Sequence, residues 1–187
     1  MKIAVINEVS ASIRNEDIVN ALHKTTNAEV LNVGMKNPEQ TPSLTYIHTS
    51  YMAAVLLNTV SCDFVIGGCG TGQGFLNGVL QFPGVVCGLI VEPLDAWLFS
   101  QINGGNCVSL PLNKGYGWAG SINLEYIFEK LFADPAGAGY PKERAKSQAM
   151  SRQTLAGISK LSHKDFTDIL KASDPEILKA IAGSKDL

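Results

Sequence analysis

Short runs of apolar, often β-branched residues alternate along the chain with longer segments in which apolar positions recur every three or four residues. Strands that are buried on both faces of a parallel sheet are almost continuously apolar, whereas the wider spacing is typical of amphipathic helices. Five runs predict strands: residues 2–6, 28–34, 63–68, 85–91 and 106–111. This alternation of strands with helices predicts βαβ units on a parallel sheet.

Helical patterns occupy most of the intervals between these strands. After the first strand, a helix is marked by Ile13, Asp17, Ala21 and Lys24. Further helices are predicted over residues 44–60, 93–102 and 117–133, and the polar, proline-containing stretch 35–43 is predicted to be a loop.

Beyond residue 134 the strand-like runs stop. Residues 134–141 are rich in turn-forming types, and the segment 163–183 predicts two short amphipathic helices, the second beginning just before Pro175. We expect a Rossmann-like three-layer α/β/α sandwich over residues 1–133. Residues 134–187 are expected to form a helical tail that packs on this domain or on a second subunit.

Composition narrows the classes of partner. The net charge is −2 over 187 residues and the basic residues are dispersed, which argues against a nucleic-acid-binding surface. The chain shows no signal-peptide pattern and no stretch long enough to span a membrane, so we expect a cytoplasmic protein with a small-molecule ligand. The four cysteines form neither CxxC pairs nor a cluster with histidine, which predicts free thiols and no metal site.

A glycine-rich loop follows the third predicted strand, over residues 67–74. Its backbone N–H groups, at the start of a helix, could bind an anion. The loop lacks the lysine of a P-loop after Gly72, and it lacks the nearby arginine of a cysteine phosphatase, so both of those functions are excluded. A dinucleotide-binding loop stays open as an alternative, although the glycine spacing is GxGxG and the loop follows the third strand instead of the first.

Cys69 is the nucleophilic side chain of this loop. A thiol near a helix N-terminus, surrounded by backbone donors, is favoured as a thiolate that can act as a base or nucleophile. An ordinary cysteine at the end of a strand is most often a small buried apolar residue. The surrounding glycines favour the functional interpretation for Cys69, whereas Cys62, Cys87 and Cys107 lack such surroundings and are expected to pack in the core.

The sequence resembles the family of ribose-5-phosphate isomerase type B and galactose-6-phosphate isomerase, whose hallmark is a Cys-Gly-Thr-Gly loop after the third strand. The resemblance spans residues 2 to about 144. Its matching motifs, in chain order, are an acidic residue after strand 1 (Glu8), Tyr46-x-His48, Cys69-Gly70-Thr71-Gly72, Phe82-x-Gly84, Glu92-Pro93, Gln101-x-Asn103-x-x-Asn106 and Arg144. The family implies a dimer or tetramer in which a cysteine moves a proton between C2 and C1 of a sugar phosphate without a cofactor, and whose site is completed at a dimer interface.

Carried over residue by residue, the resemblance implies Cys69 as the proton-transfer base and Thr71 as a partner for a substrate hydroxyl or for ring opening. Asn103 would hold the enediolate oxygen together with the backbone N–H groups around Gly70, Gly72 and Gly74. Glu8 occupies the position of the family's aspartate and would bind sugar hydroxyls, with a capping or surface role as its alternative. Arg144 matches a phosphate-binding arginine, and His48 is assigned either to the pocket or to a helix surface.

The sequence departs from the family pattern at several positions. Val9 and Ile102 stand where the family has histidines, so the histidine assigned to ring opening is missing, and Leu80-Gln81 and Tyr140 replace an Asn-Lys pair and an arginine. We therefore expect an aldose–ketose isomerase, a homodimer or dimer of dimers, that acts on an open-chain or short sugar phosphate. The alternative is a non-catalytic sugar-phosphate or nucleotide-binding protein on the same fold.

Overall fold

A computed structural model describes residues 1–184, and its centre is a parallel sheet of five strands in the order β2-β1-β3-β5-β4. The strands are β1 (Lys2–Asn7), β2 (Glu29–Gly34), β3 (Phe64–Cys69), β4 (Cys87–Leu89) and β5 (Cys107–Pro111). All five predicted strands are present, and all neighbouring pairs are parallel. The edge strand β4 is much shorter than its apolar run of residues 85–91, because only three of these residues pair with β5.

Eight α-helices accompany the sheet in the described part of the chain: α1 (Asn15–Thr25), α2 (Tyr46–Asn58), α3 (Gln73–Val79), α4 (Pro93–Leu98), α5 (Gly120–Leu131), α6 (Ala145–Ser162), α7 (Phe166–Ala172) and α8 (Pro175–Ala182). Short 3₁₀ turns precede α1 and α6, and a π-helical turn, Phe99–Asn103, follows α4. None of these helices combines the length and the apolar character needed to cross a membrane.

The helices cover both faces of the sheet, so the predicted three-layer α/β/α sandwich is confirmed. Side chains alternate along β1: Ile3 and Val5 join a core formed with α1, α4 and α5, while Ala4 and Ile6 join a second core formed with α2 and α3. Both cores consist of side chains with almost no exposed surface. This double covering explains why the strands are nearly continuous in apolar residues.

Three predicted helix boundaries differ from the structure. The pattern beginning at Ile13 predicts α1 too early, because residues 12–14 form a 3₁₀ turn and Ile13 is exposed. The helix predicted over 93–102 is α4 followed by the π-helical turn. The helix predicted from 117 begins at Gly120, because Gly117 has a positive φ that an α-helix does not accommodate.

The tail contains α6, which the sequence analysis did not predict, and the chain then returns to the α2 side of the domain. Arg152 anchors α6 by donating hydrogen bonds to the carbonyl oxygens of Ile102 (2.8 Å) and Gly137 (3.0 Å). α7 and α8 pack against the α2 side, where the Tyr51 hydroxyl lies 3.0 Å from Ser173 Oγ. α6 buries no residue, and its exposed apolar side chains are Met150, Leu155, Ile158 and Leu161.

Candidate active site

The loops that follow β1, β3 and β5 meet at the carboxyl edge of the sheet. β3 lies between the other two strands and ends at Cys69, which is paired with Pro111 at the end of β5. Ligands of open α/β sheets bind outside the carboxyl ends of the strands, so a ligand site is expected at this edge.

Cys69 ends β3 with its side chain on the α2–α3 face. The residue is 7% exposed and packs with the core of that face. Thr71, which is exposed, places its Oγ1 3.9 Å from Cys69 Sγ, and the same oxygen accepts a hydrogen bond from the Gln73 N–H (3.3 Å). A thiol and a hydroxyl therefore lie side by side at the start of α3.

Two glycines of the loop are required for different physical reasons, a backbone conformation in one case and a steric overlap in the other. Gly72 has φ of +76°, and a Cβ there would come within 2.6 Å of Leu89 Cδ1. At Gly67 a Cβ would overlap the buried ring of Phe75. These two glycines are required by the packing of the loop itself.

The backbone N–H groups of the loop are only partly available to a ligand. The Gly70 N–H donates to Ser10 Oγ (3.2 Å), and the Gly72 N–H donates to the Cys69 carbonyl oxygen (3.3 Å). The Gly74 N–H belongs to the first turn of α3, where backbone donors have no partner within the helix. Of the three amides expected to hold an oxyanion, Gly74 is the one that the loop does not use elsewhere.

Glu8 lies directly after β1 and is 5% exposed. The Ser10 hydroxyl donates a hydrogen bond to Glu8 Oε1. The carboxylate is therefore held inside the crevice at the edge of the sheet, beside the loop that carries Cys69.

Tyr46 and His48, at the start of α2, occupy different positions relative to the glycine loop. The Tyr46 ring packs over Gly74, where a Cβ would approach the ring to 3.0 Å. His48 Nδ1 accepts the Thr45 N–H (3.0 Å) in a capping box, and burial lowers the pKa of the imidazole. One nitrogen of His48 thus has a structural role in capping α2.

Asn103 and Arg144 do not lie near Cys69 within one chain. Asn103 ends the π-helical turn before β5, at the amino edge of the sheet, so it is separated from Cys69 by the length of β5, roughly 16 Å. The Gly139 N–H donates to the Gln101 carbonyl oxygen (2.9 Å), which keeps the segment leading to Arg144 beside that turn. The resemblance implies one site, whereas the structure places its residues at two opposite edges.

Comparison with known proteins identifies the family. A family model described as Ribose/Galactose Isomerase matches residues 3–132. The chain belongs to this family. The resemblance drawn from the motifs is thereby confirmed, and so is the enzyme class, an aldose–ketose isomerase. A comparison with curated protein sequences gives no match.

Two solved structures resemble this isomerase over its whole length. A structure of 4-deoxy-L-threo-5-hexosulose-uronate ketol-isomerase complexed with a tartrate is 44% identical, covers 99% of this chain and 88% of its own, and has a TM-score of 0.96. A ribose-5-phosphate isomerase from Vibrio parahaemolyticus is also 44% identical, with 100% and 89% covered and a TM-score of 0.96. An isomerase from Thermotoga maritima (24%, with 79% and 96% covered, TM-score 0.64) shows the fold alone.

The sequence analysis of this isomerase missed Ser10 and Asn113. Both lie in polar loops that show no periodicity, and nothing in their immediate sequence distinguishes them from solvated loop residues. Asn113 Nδ2 donates to the Ser10 carbonyl oxygen (2.8 Å) across 103 positions of sequence. Only the strand order, which places β1 and β5 on either side of β3, could have indicated this contact.

The remaining cysteines of the isomerase are free thiols in the core of the α2 face. Burial raises the pKa of Cys62 to about 11 and raises that of Cys107 well above its usual range. Within residues 1–184, no group of three or more His, Cys, Asp or Glu side chains is arranged to hold a metal ion.

Proposed function

We propose that this isomerase interconverts an aldose and a ketose of a small, open-chain sugar phosphate, with Cys69 as the base. The observation that supports this proposal is the position of the Cys69 thiol at the carboxyl edge of β3, 3.9 Å from the Thr71 hydroxyl. In one direction the Cys69 thiolate removes the proton from C2 of the aldose, which gives an enediolate. The proton of the 2-hydroxyl passes to O1, and the thiol returns its proton to C1, so that the ketose forms.

The enediolate carries negative charge on oxygen, and catalysis depends on donors aimed at that oxygen. The Gly74 N–H is the loop amide that remains for this purpose, and the positive end of the α3 dipole adds to it. We assign the Thr71 hydroxyl to a substrate hydroxyl beside the reacting carbons. Glu8, held by Ser10, binds another hydroxyl of the sugar.

Asn103 and Arg144 complete the site from a second subunit. Both lie at the amino edge of their own sheet, so they reach a Cys69 only across a dimer interface. The exposed apolar side chains of α6 are the surface that we assign to this interface, because all four lie within one arc of the helix and α6 buries none of its own residues. The incompleteness of the proposed site in one chain supports the proposal of a homodimer.

The charged group of the substrate is either a phosphate or a carboxylate. Arg144 supports a phosphate, but Tyr140 packs on Trp97 (ring centroids 4.9 Å apart) where the resembling family has a second arginine. A single carboxylate needs fewer cationic partners than a phosphate dianion does. A uronate is therefore the second candidate, favoured by the 44% identical ketol-isomerase complexed with a tartrate.

The proposal is tested by isotope exchange in deuterated water with open-chain sugar phosphates of four to six carbons and with a hexosulose uronate. We expect deuterium at C1 or C2 of at least one compound. Cys69→Ala should lower the rate by about 10²- to 10⁴-fold, which is what a general base contributes. Cys87→Ala, at a thiol outside the site, is the matched control and should retain the wild-type rate.

Two outcomes contradict the proposal. Turnover by Cys69→Ala close to that of the wild type would exclude the thiol as the base. Absence of deuterium in every compound, combined with ligand-induced thermal stabilisation by one of them, would show that this site binds such compounds without isomerising them and would exclude the proposed substrate class.

A further inference from the structure

The loop that carries Cys69 is enclosed by the loops of both neighbouring strands. β3 lies between β1 and β5, so the turns after these strands flank Gly70 from opposite sides. A Cβ on Gly70 would lie 3.3 Å from Ser10 Oγ and 3.3 Å from Asn113 Nδ2. Gly70 immediately follows the thiol-bearing residue.

Each backbone polar group of Gly70 has a partner in one of these turns. Its N–H donates to Ser10 Oγ (3.2 Å), and its carbonyl oxygen accepts the N–H groups of Asn113 (3.0 Å) and Lys114 (2.8 Å). The Asn113 side chain also donates to the Ser10 carbonyl oxygen (2.8 Å), which joins the two turns directly. Gly70 is therefore fixed by three residues that follow two other strands.

The Ser10 hydroxyl can satisfy its two partners in only one way. A backbone N–H can only donate, so the hydroxyl oxygen must accept from Gly70. The single hydroxyl proton is then given to Glu8, whose carboxylate is buried. The order of donors runs from Gly70 through Ser10 to Glu8, and it links the thiol loop to the acidic side chain of the site.

We infer that Ser10 is a positioning residue of the reaction, which holds the Cys69–Thr71 segment and the Glu8 carboxylate in register through this one hydroxyl. Asn113 supports it by fixing the Ser10 backbone. Ser10 acts through Cys69 and Glu8 and is not assigned a contact with the reacting atoms. This inference rests on the proposed role of Cys69 as the base.

The inference predicts a specific kinetic effect. Displacement of a catalytic group by a fraction of an ångström weakens the transition state more than it weakens the binding of substrate. Ser10→Ala is therefore expected to lower kcat by about tenfold, whereas KM, which includes the binding of a sugar hydroxyl by Glu8, should rise by no more than about threefold. Asn113→Ala should act in the same direction, and the double variant should lose less than the product of the two single losses, because both act on Gly70.

Two further variants separate positioning from loop stability. Ser10→Thr keeps the hydroxyl at an exposed position and should recover kcat to within about threefold of the wild type. Ser12→Ala removes a hydroxyl from the same turn, one that donates to the Val9 carbonyl oxygen (2.9 Å) without touching Gly70, and its kcat should stay at the wild-type level.

Cys69→Ala is assayed beside these variants, and thermal unfolding confirms that each is folded. If Cys69→Ala is inactive and Ser10→Ala has normal kcat, the positioning role is wrong while the proposed base stands. If Ser10→Thr is as impaired as Ser10→Ala, or if KM rises in proportion as kcat falls, the hydroxyl does not act by positioning. If Cys69→Ala is active, the proposed function itself fails.

Discussion

At the scale of single residues, glycine was the most informative type in the sequence and also the most ambiguous. The run over 67–74 correctly marked the loop at the carboxyl edge of β3. It did not show which glycines make room for a ligand and which make room for the protein's own side chains. Gly67 lies under the Phe75 ring, and Gly72 needs a left-handed backbone, both for internal reasons. These reasons depend on residues brought close only by folding.

Gly67→Ala is expected to destabilise the protein by about 1–3 kcal/mol, because the new methyl group overlaps a fully buried ring that has no space to move into. Phe75→Leu gives the matched comparison, because it removes part of the ring that the new methyl group meets. The double variant should lose less stability than the sum of the two single losses. Urea unfolding monitored by circular dichroism measures all three changes. Strictly additive losses would contradict the packing role of Gly67.

At the scale of elements, the strands were predictable and the tail was not. The strands are buried on both faces, so their apolar runs stand out in the sequence. α6 buries no residue, and its few apolar positions, although they lie within one arc, are spread over residues 150–161 among small and polar residues and give only a weak helical pattern. The capping box at the start of α2 was not predictable from the sequence either, because a histidine at the third helical position is not its usual partner.

The His48 cap makes the stability of α2 depend on pH. Burial lowers the pKa of His48 below the value of 6.5 that it has in the unfolded chain, so the unfolded state binds the proton more strongly. The stability contributed by His48 is therefore complete above pH 6.5 and is lost as the pH falls through and below that value. Protonation also removes the lone pair that accepts the Thr45 N–H.

His48→Gln keeps an acceptor at the capping position and removes the titration. We expect the urea midpoint of the wild type to fall between about pH 7.5 and pH 5.5, and the fall to be smaller in His48→Gln. His23→Gln, at an exposed histidine of α1, should behave as the wild type does. The same pH dependence in all three proteins would show that His48 is not responsible.

At the scale of the whole molecule, motifs in a linear sequence do not reveal at which edge of the sheet each residue will lie. Cys69 and Asn103 belong to the same set of motifs. Cys69 is the last residue of β3, whereas Asn103 precedes β5, so the two residues lie at opposite edges of the sheet. The sequence predicts a homodimer through its resemblance to a family. The topology requires this dimer if the proposed site is right, since one chain cannot bring both residues to one substrate.

Mixing two inactive variants tests this arrangement. Cys69→Ala and Asn103→Ala homodimers should each retain about 1% of wild-type activity or less. After co-refolding in equal amounts, half of the dimers are mixed, and each mixed dimer has one site with both residues intact. Activity should then recover to about a quarter of the wild type. Recovery that stays at the level of the separate variants would show that Asn103 does not act across the interface.

The distance between the two edges of the sheet has a consequence for newly made chains if the proposed shared site is right. A lone chain would then carry two half-sites and no complete one, and turnover would begin only when two chains associate. Specific activity should fall when the enzyme is diluted below the dissociation constant of the dimer, and activity measured on very dilute enzyme would then understate what concentrated enzyme does. Under the proposed arrangement, the concentration of the protein would set a threshold for its own activity.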